Sequence, residues 1–232
     1  MMNDDWMATH LRCARADYNT SHRYDRRVVP RIIHQIWLGS RPVPDHVDRW
    51  REFSARHGWT HRLWTEADIL GEGFESEAIF RWFGDGQWGG LQAQSDVARY
   101  EILYRYGGLY ADCDIVPAHA GTIDLADHLP MTGFAVSTEH APRDIGTGSL
   151  FAANGFMVSC SGHPILRRVI DSIPINIKAF QDAGIHNTVW MVGPFLLNKC
   201  LFGSFHLIHR DWVMVDAPAE HFHLVEFRPY GG

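Results

Sequence analysis

Short apolar runs with strand character alternate along this chain with segments of helical period, and that alternation restricts the fold more than any other feature. Pro30 introduces Ile32, Ile33, Ile36, Trp37 and Leu38, a buried-strand run, and the turn residues from Gly39 to Pro44 end it. Val47, Trp50 and Phe53 then recur at helical spacing until His57-Gly58 closes the segment. A second strand around Arg62 to Trp64 meets Thr65, a helix cap with Asp68 three residues on. After a Gly-rich loop at 84–90, Leu91 to Tyr106 reads as a helix with Leu91, Ser95, Ala98 and Ile102 on one stripe. Gly107-Gly108 stops it, and Leu109 to Val116 reads as one strand. Further strands are expected near 131–137 and 149–160, helices near 163–172 and 193–201, and short strands near 205–215. The order predicts an α/β sheet.

The chain has 232 residues, 46% of them hydrophobic, which suits one domain with a substantial core. Residues 1–29 read as a polar, partly helical extension and residues 30–232 as the domain proper. No apolar run approaches the ~18 residues of a membrane span, and Asp4 and Asp5 stand where a secretory signal would be basic and then apolar. Cys13, Cys113, Cys160 and Cys200 lie too far apart for paired metal-ligand spacing, so reduced thiols and a cytoplasmic setting are expected. A net charge of −6 argues against broad binding to nucleic acid, although Arg12, Arg15, Arg23, Arg26, Arg27 and Arg31 make the N-terminal stretch locally basic.

The chemistry concentrates in Gly107-Gly108-Leu109-Tyr110-Ala111-Asp112-Cys113-Asp114. Side chains two apart on an extended backbone point to one side, so Asp112 and Asp114 are expected to converge. Two such carboxylates repel unless a cation lies between them. Hard oxygen ligands suit Mg²⁺ or Mn²⁺, which in turn would neutralise a diphosphate. The competing explanation is a solvated strand end.

Other blocks accompany this one in order: Pro30-Arg31-Ile32-Ile33-His34-Gln35-Ile36-Trp37-Leu38-Gly39, Leu63-Trp64, Ser95-Asp96-Val97-Ala98-Arg99-Tyr100-Glu101-Ile102-Leu103, Asn154-Gly155-Phe156-Met157 with His163-Pro164, and Val192-Gly193-Pro194. Together they resemble glycosyltransferase family 32, which includes fungal initiating mannosyltransferases and bacterial capsule enzymes, and are similar to the clostridial glucosylating toxins. The resemblance implies a single-domain GT-A fold, a Rossmann-like mixed sheet flanked by helices. It implies a metal, Mn²⁺ or Mg²⁺, at Asp112 and Asp114, with Asp96 and Arg99 on the donor sugar's hydroxyls. Trp37 would pack on the nucleotide base, and Gln35, Tyr110 and Asn154 would complete the donor site. The implied reaction retains anomeric configuration and moves a hexose from a UDP- or GDP-sugar to a hydroxyl on a glycan, a protein or another acceptor. The family's C-terminal metal or diphosphate block is not clear near the end of the sequence, where His209, His221 and His223 are the imidazoles that offer a further ligand.

Two other readings compete. Gly84-Asp85-Gly86-Gln87-Trp88-Gly89 fits the G-x-G-x-x-G of dinucleotide-dependent oxidoreductases, with Asp112 at a suitable distance, but that fingerprint needs a strand before it and 75–83 reads as a helix. A nucleotide-sugar-binding module without turnover would keep the same residues. A glycosidase fits poorly, because carboxylates two apart on one strand do not flank a scissile bond.

Overall fold

The computed structural model describes residues 29–86, 89–117, 133–138 and 152–202, and the backbone of two further strands at 213–215 and 225–227. The expected 1–29 extension falls outside the described residues except for Val29, and so do His209, His221 and His223. The elements are β1 (Ile32–Ile36), α1 (His46–His57), β2 (Thr60–Trp64), α2 (Glu66–Gly71), α3 (Glu77–Gly84), α4 (Gly90–Tyr106), β3 (Gly108–Ala111) and β4 (Ile115–Pro117). β5 (Phe134–Thr138), β6 (Ala152–Ser159), α5 (Pro164–Asp182), α6 (Thr188–Met191), α7 (Pro194–Phe202), β7 (Val213–Val215) and β8 (Val225–Phe227) follow.

Local signals place the early boundaries. Gly58 ends α1 in the left-handed region at φ 68°. Thr65 and Asp68 form a reciprocal capping box at the start of α2, with the Asp68 amide donating to Thr65 Oγ1 at 3.3 Å and the Thr65 amide to Asp68 Oδ2 at 2.9 Å. Six strands form a mixed sheet in the order β2-β1-β3-β6-β5-β7. β1 pairs parallel to β2 and β3, β6 pairs antiparallel to β3 and β5, and β4 pairs with β8 in a separate ribbon. This is the α/β mixed sheet flanked by helices that the sequence predicts.

Strand alternation sorts the core into two faces. Ile36, Trp64, Tyr110, Val136 and Met157 meet residues of α4, α5 and α7 on one side; Ile33, Leu109, Ala111, Phe156 and Val158 meet Trp50 and Phe53 of α1 on the other. Helix α4 lies under the sheet so deeply that every residue from Asp96 to Leu103 is buried, while Leu91 is half exposed. The stripe expected there holds for Ala98 and Ile102 but not for Leu91: a central helix is enclosed on several sides, and polar Gln94, Asp96, Arg99 and Glu101 are buried with it. Helix α5 runs ten residues past its expected end. Pro174 sits on its exposed side, while Ile173 and Ile177 stay in the core.

The strand expected over Leu109 to Val116 is two strands in different sheets. β3 stops at Ala111 and β4 begins at Ile115, and a turn closed by the Ile115 amide on the Asp112 carbonyl (3.0 Å) separates them. Asp112 and Asp114 thus lie on a reverse turn, not on alternate positions of one extended strand.

Candidate active site

The site arises because α4 and β3 run in opposite directions through a tight reversal. Going from Arg99 to the end of α4 takes about 10 Å at 1.5 Å per residue, and four strand residues return about 13 Å, which brings Asp112 back beside Arg99. Gly107 and Gly108 make the reversal with φ of 64° and 98°. A Cβ on Gly107 would stand 2.7 Å from the Ser161 amide nitrogen, and one on Gly108 would strike the Ile32 carbonyl. His34 locks the joint from β1: its Nε2 donates to the Gly107 carbonyl (2.9 Å) while its Nδ1 accepts from Trp64 Nε1 (3.1 Å). Burial holds this imidazole neutral by lowering its pKa to about 4.

Arg99 stands at the centre, buried. Its Nη2 lies 3.2 Å from Asp96 Oδ1 and 3.2 Å from Asp112 Oδ1; its Nη1 donates to the Asn154 carbonyl (2.9 Å) and Asp112 Oδ2 (3.4 Å), and its Nε to the Ser95 carbonyl (3.2 Å). Asn154, in the interior of β6, sends its Nδ2 to Asp96 Oδ1 (2.8 Å) and the Tyr100 hydroxyl (3.0 Å), which donates on to the Gly193 carbonyl (3.3 Å). Burial raises the Asp96 carboxyl above the usual carboxylate range, with Arg99 opposing the rise. Both Asn154 and Arg99 use Oδ1, and no described residue donates to Oδ2. A Cβ on Gly193 would come within 3.2 Å of that free oxygen.

Tyr110 lies under the Arg99 guanidinium, 4.8 Å from ring centre to Cζ, and its hydroxyl donates to Asp112 Oδ1 at 2.7 Å. Gly155 leaves the space behind Asp112, where a Cβ would sit 2.7 Å from Oδ2. The turn is held at several points: the Asp112 amide donates to the Gly155 carbonyl (2.8 Å), Cys113 Sγ to the Ile36 carbonyl (3.3 Å), and Trp50 Nε1 to the Ile115 carbonyl (2.7 Å). Burial pushes the Cys113 thiol up to about 12, which makes it a packing group. The Asp114 carboxylate takes no hydrogen bond from a described side chain, and its carboxyl is raised to about 6 by partial burial and then by Asp112.

The expected residues therefore divide. Asp96, Arg99, Tyr110, Asp112 and Asn154 form one buried polar network, with Asp114 one turn away. Trp37 lies just past β1, partly buried, with Nε1 donating to the Arg41 carbonyl (2.8 Å). Gln35 is fully buried, and both ends of its amide are engaged: Oε1 by His61 Nε2 (3.0 Å) and Nε2 by the Asp112 carbonyl (3.4 Å). Tyr100, Trp50, Gly155 and Gly193 appear in the sequence reading without a site role, and His61 escaped it. Tyr100 had a further signal, since it lies four residues after Asp96 and so near the same face of α4.

Mg²⁺ and Mn²⁺ are commonly bound by one or two carboxylates together with substrate phosphates. Among the described residues no three His, Cys, Asp or Glu side chains converge into a cage. The uncommitted carboxylate of Asp114 and the third of the Asp112 side chain that is exposed fit that sparser oxygen ligation. The G-x-G-x-x-G reading fails on context, because Gly84 is the last residue of α3 and the segment joins two helices.

The fold matches that of GT-A glycosyltransferase domains. Residues 53–129 match the family described as glycosyltransferase sugar-binding region containing DXD motif. The chain is similar to inositol phosphoceramide mannosyltransferase 1 of Schizosaccharomyces pombe, with 33% identity over 105 residues, 42% of this chain and 31% of that protein. It is similar to inositol phosphoceramide mannosyltransferase 3 of the same organism, with 28% identity over 215 residues, 88% of this chain and 55% of that protein. The chain thus spans about a third to about half of these relatives. Among solved structures it superposes on PaToxG glycosyltransferase (TM-score 0.61, 14% identity, 86% of this chain and 79% of the other). It also superposes on the catalytic domain of α-toxin from Clostridium novyi (TM-score 0.58, 10% identity, 94% and 81%). The similarity to fungal mannosyltransferases and to a clostridial toxin is the one that the sequence blocks imply.

Proposed function

We propose that this chain is a metal-dependent, retaining glycosyltransferase that moves a hexose from a nucleotide diphosphate sugar to an acceptor hydroxyl. The observation that carries the reading is the buried Asp96–Arg99–Asn154 network joined to Asp112, with the carboxylate of Asp114 left uncommitted beside it. Asp96 Oδ2 accepts from a donor sugar hydroxyl. Arg99, whose contacts are taken up by the protein, holds Asp96 and Asp112 in register and neutralises them. Trp37 offers its ring to the base, and Tyr110 fixes the Asp112 carboxylate. A divalent cation at Asp112 and Asp114 supplies charge neutralisation for the departing diphosphate. The acceptor oxygen bonds to C1 of the sugar on the face from which the diphosphate leaves, the C1–O bond to phosphate breaks, and the leaving phosphate takes the acceptor proton. No protein base is assigned. The mannosyltransferase names of the relatives put mannose among the hexoses to test first.

The deciding experiment is release of nucleoside diphosphate from a panel of UDP- and GDP-sugars with Mn²⁺, Mg²⁺ or EDTA. We expect one donor to be hydrolysed slowly without acceptor, and Asp114→Asn to lower that rate by about 10²-fold or more. Binding of a donor with no turnover in any metal, with or without sugar acceptors, would favour the module without catalysis. No binding at all would reduce the likeness to one of fold.

A further inference from the structure

We infer that Gln35, braced by His61, is a positioning residue for the Asp112–Asp114 turn and makes no contact with the donor. This rests on the metal site proposed above. Gln35 is fully buried on β1, and its side chain crosses from β2 to the turn. Its amide nitrogen faces the Asp112 carbonyl at 3.4 Å, which leaves Oε1 as the acceptor and requires His61 Nε2 to carry the hydrogen across the 3.0 Å contact. The Asp112 carbonyl thereby receives both the turn-closing Ile115 amide and the Gln35 amide, one for each lone pair. Fully buried and with both ends of its amide engaged, Gln35 presents no surface to a nucleotide.

The consequence concerns where Asp114 points. A reverse turn can rotate its central peptides, and the direction of the Asp114 carboxylate follows from them. Gln35 fixes the carbonyl at the head of the turn, and Trp50 fixes the Ile115 carbonyl at its foot (2.7 Å), so the two grips bracket Asp114 on both sides. The Asp112 carbonyl sets the orientation of the Gln35 amide, since the reversed amide would set carbonyl against carbonyl, and His61 holds the oxygen end by donating to Oε1. The relay is carried by neutral groups and adds no charge to the cation site.

The test is Mn²⁺ binding by the full chain with UDP or GDP, followed by electron paramagnetic resonance, for wild type, Gln35→Leu, His61→Ala and His61→Gln, with a melting temperature for each. Gln35→Leu and His61→Ala should weaken Mn²⁺ binding about tenfold, the lower end of the range for lost outer partners of a metal ligand. His61→Gln, which can still donate to Oε1, should recover most of it. A simple packing role would lower melting temperature without this rescue. Wild-type affinity in Gln35→Leu and His61→Ala, or a His61→Gln as weak as His61→Ala, would overturn the inference. Should Gln35→Leu not fold, the two His61 variants decide. A wild type that binds no Mn²⁺ with either nucleotide would instead overturn the metal site, and this inference with it.

Discussion

Arg99 is buried with Asp96 and also pairs with Asp112, whose side chain is partly exposed, so the cation and the buried carboxylate respond differently to mutation. Removing the cation strands a buried anion: Arg99→Ala should cost about 3–5 kcal/mol in urea unfolding. Asp96→Asn removes a charge that burial disfavours, while Arg99 keeps Asp112 as partner. Its melting temperature should stay within a few degrees of wild type or rise, while donor hydrolysis falls about 10²-fold. His34 gives a second prediction, whose direction follows from its lowered pKa of about 4. The unfolded chain takes up a proton near pH 6.5, well before the folded one, so the stabilisation is fully present above that pH and is lost as pH falls toward 4. The loss approaches about 3 kcal/mol at the acid end, at roughly 1.4 kcal/mol per pH unit. His61, also lowered to about 4, steepens the same window. Asp96 and Asp114, each raised to about 6, act in the opposite direction below that pH. The difference is therefore what to measure: urea unfolding at several pH values from 7 to 4 should show wild type losing more stability than His34→Gln, whose side chain can donate to Gly107 and accept from Trp64.

At the scale of elements, glycines that carry the site differ from glycines that merely turn the chain. Gly108 combines φ 98° with an approach to the Ile32 carbonyl that leaves no space for a side chain. Gly184 has φ 67° and open space around its Cβ position. Gly184→Ala should therefore cost only the left-handed backbone term, about 1–2 kcal/mol. Gly108→Ala should cost clearly more in the same thermal or urea melts, because β1 and β3 must also separate. Element starts and stops were legible where a local device sets them, as at Thr65-Asp68, Gly58 and Gly107. The break in the 109–116 strand was not. Alternation of apolar and polar residues continues through Asp112-Cys113-Asp114, and nothing local shows that β3 ends against β6 while β4 leaves to pair with β8. The length of α5 was hidden for a related reason, since Pro174 matters only through the side of the helix on which it falls.

For the molecule as a whole, the proposed donor site lies where β1, β3, β6, α4 and the α6–α7 junction meet, so a ligand bound there would tie separate parts of the sheet and its helical layer together. A nucleotide diphosphate with Mn²⁺ should raise the melting temperature in differential scanning calorimetry. At a hundredfold excess over Kd the stabilisation is about 2.7 kcal/mol, and EDTA should remove most of it. The sequence by itself determined the α/β class, most of the order of elements and the residue blocks that carry the family resemblance, because periodicity, caps and motif spacing are written in neighbouring residues. Only the tertiary structure decided how they are used. Asp96 and Arg99, expected on the donor sugar's hydroxyls, are buried partners of one another, Gln35 links β2 to the Asp112 turn, and Asp114 takes no hydrogen bond from a described side chain. Burial, hydrogen-bond partners and strand pairing depend on residues tens of positions apart, and no local pattern encodes them.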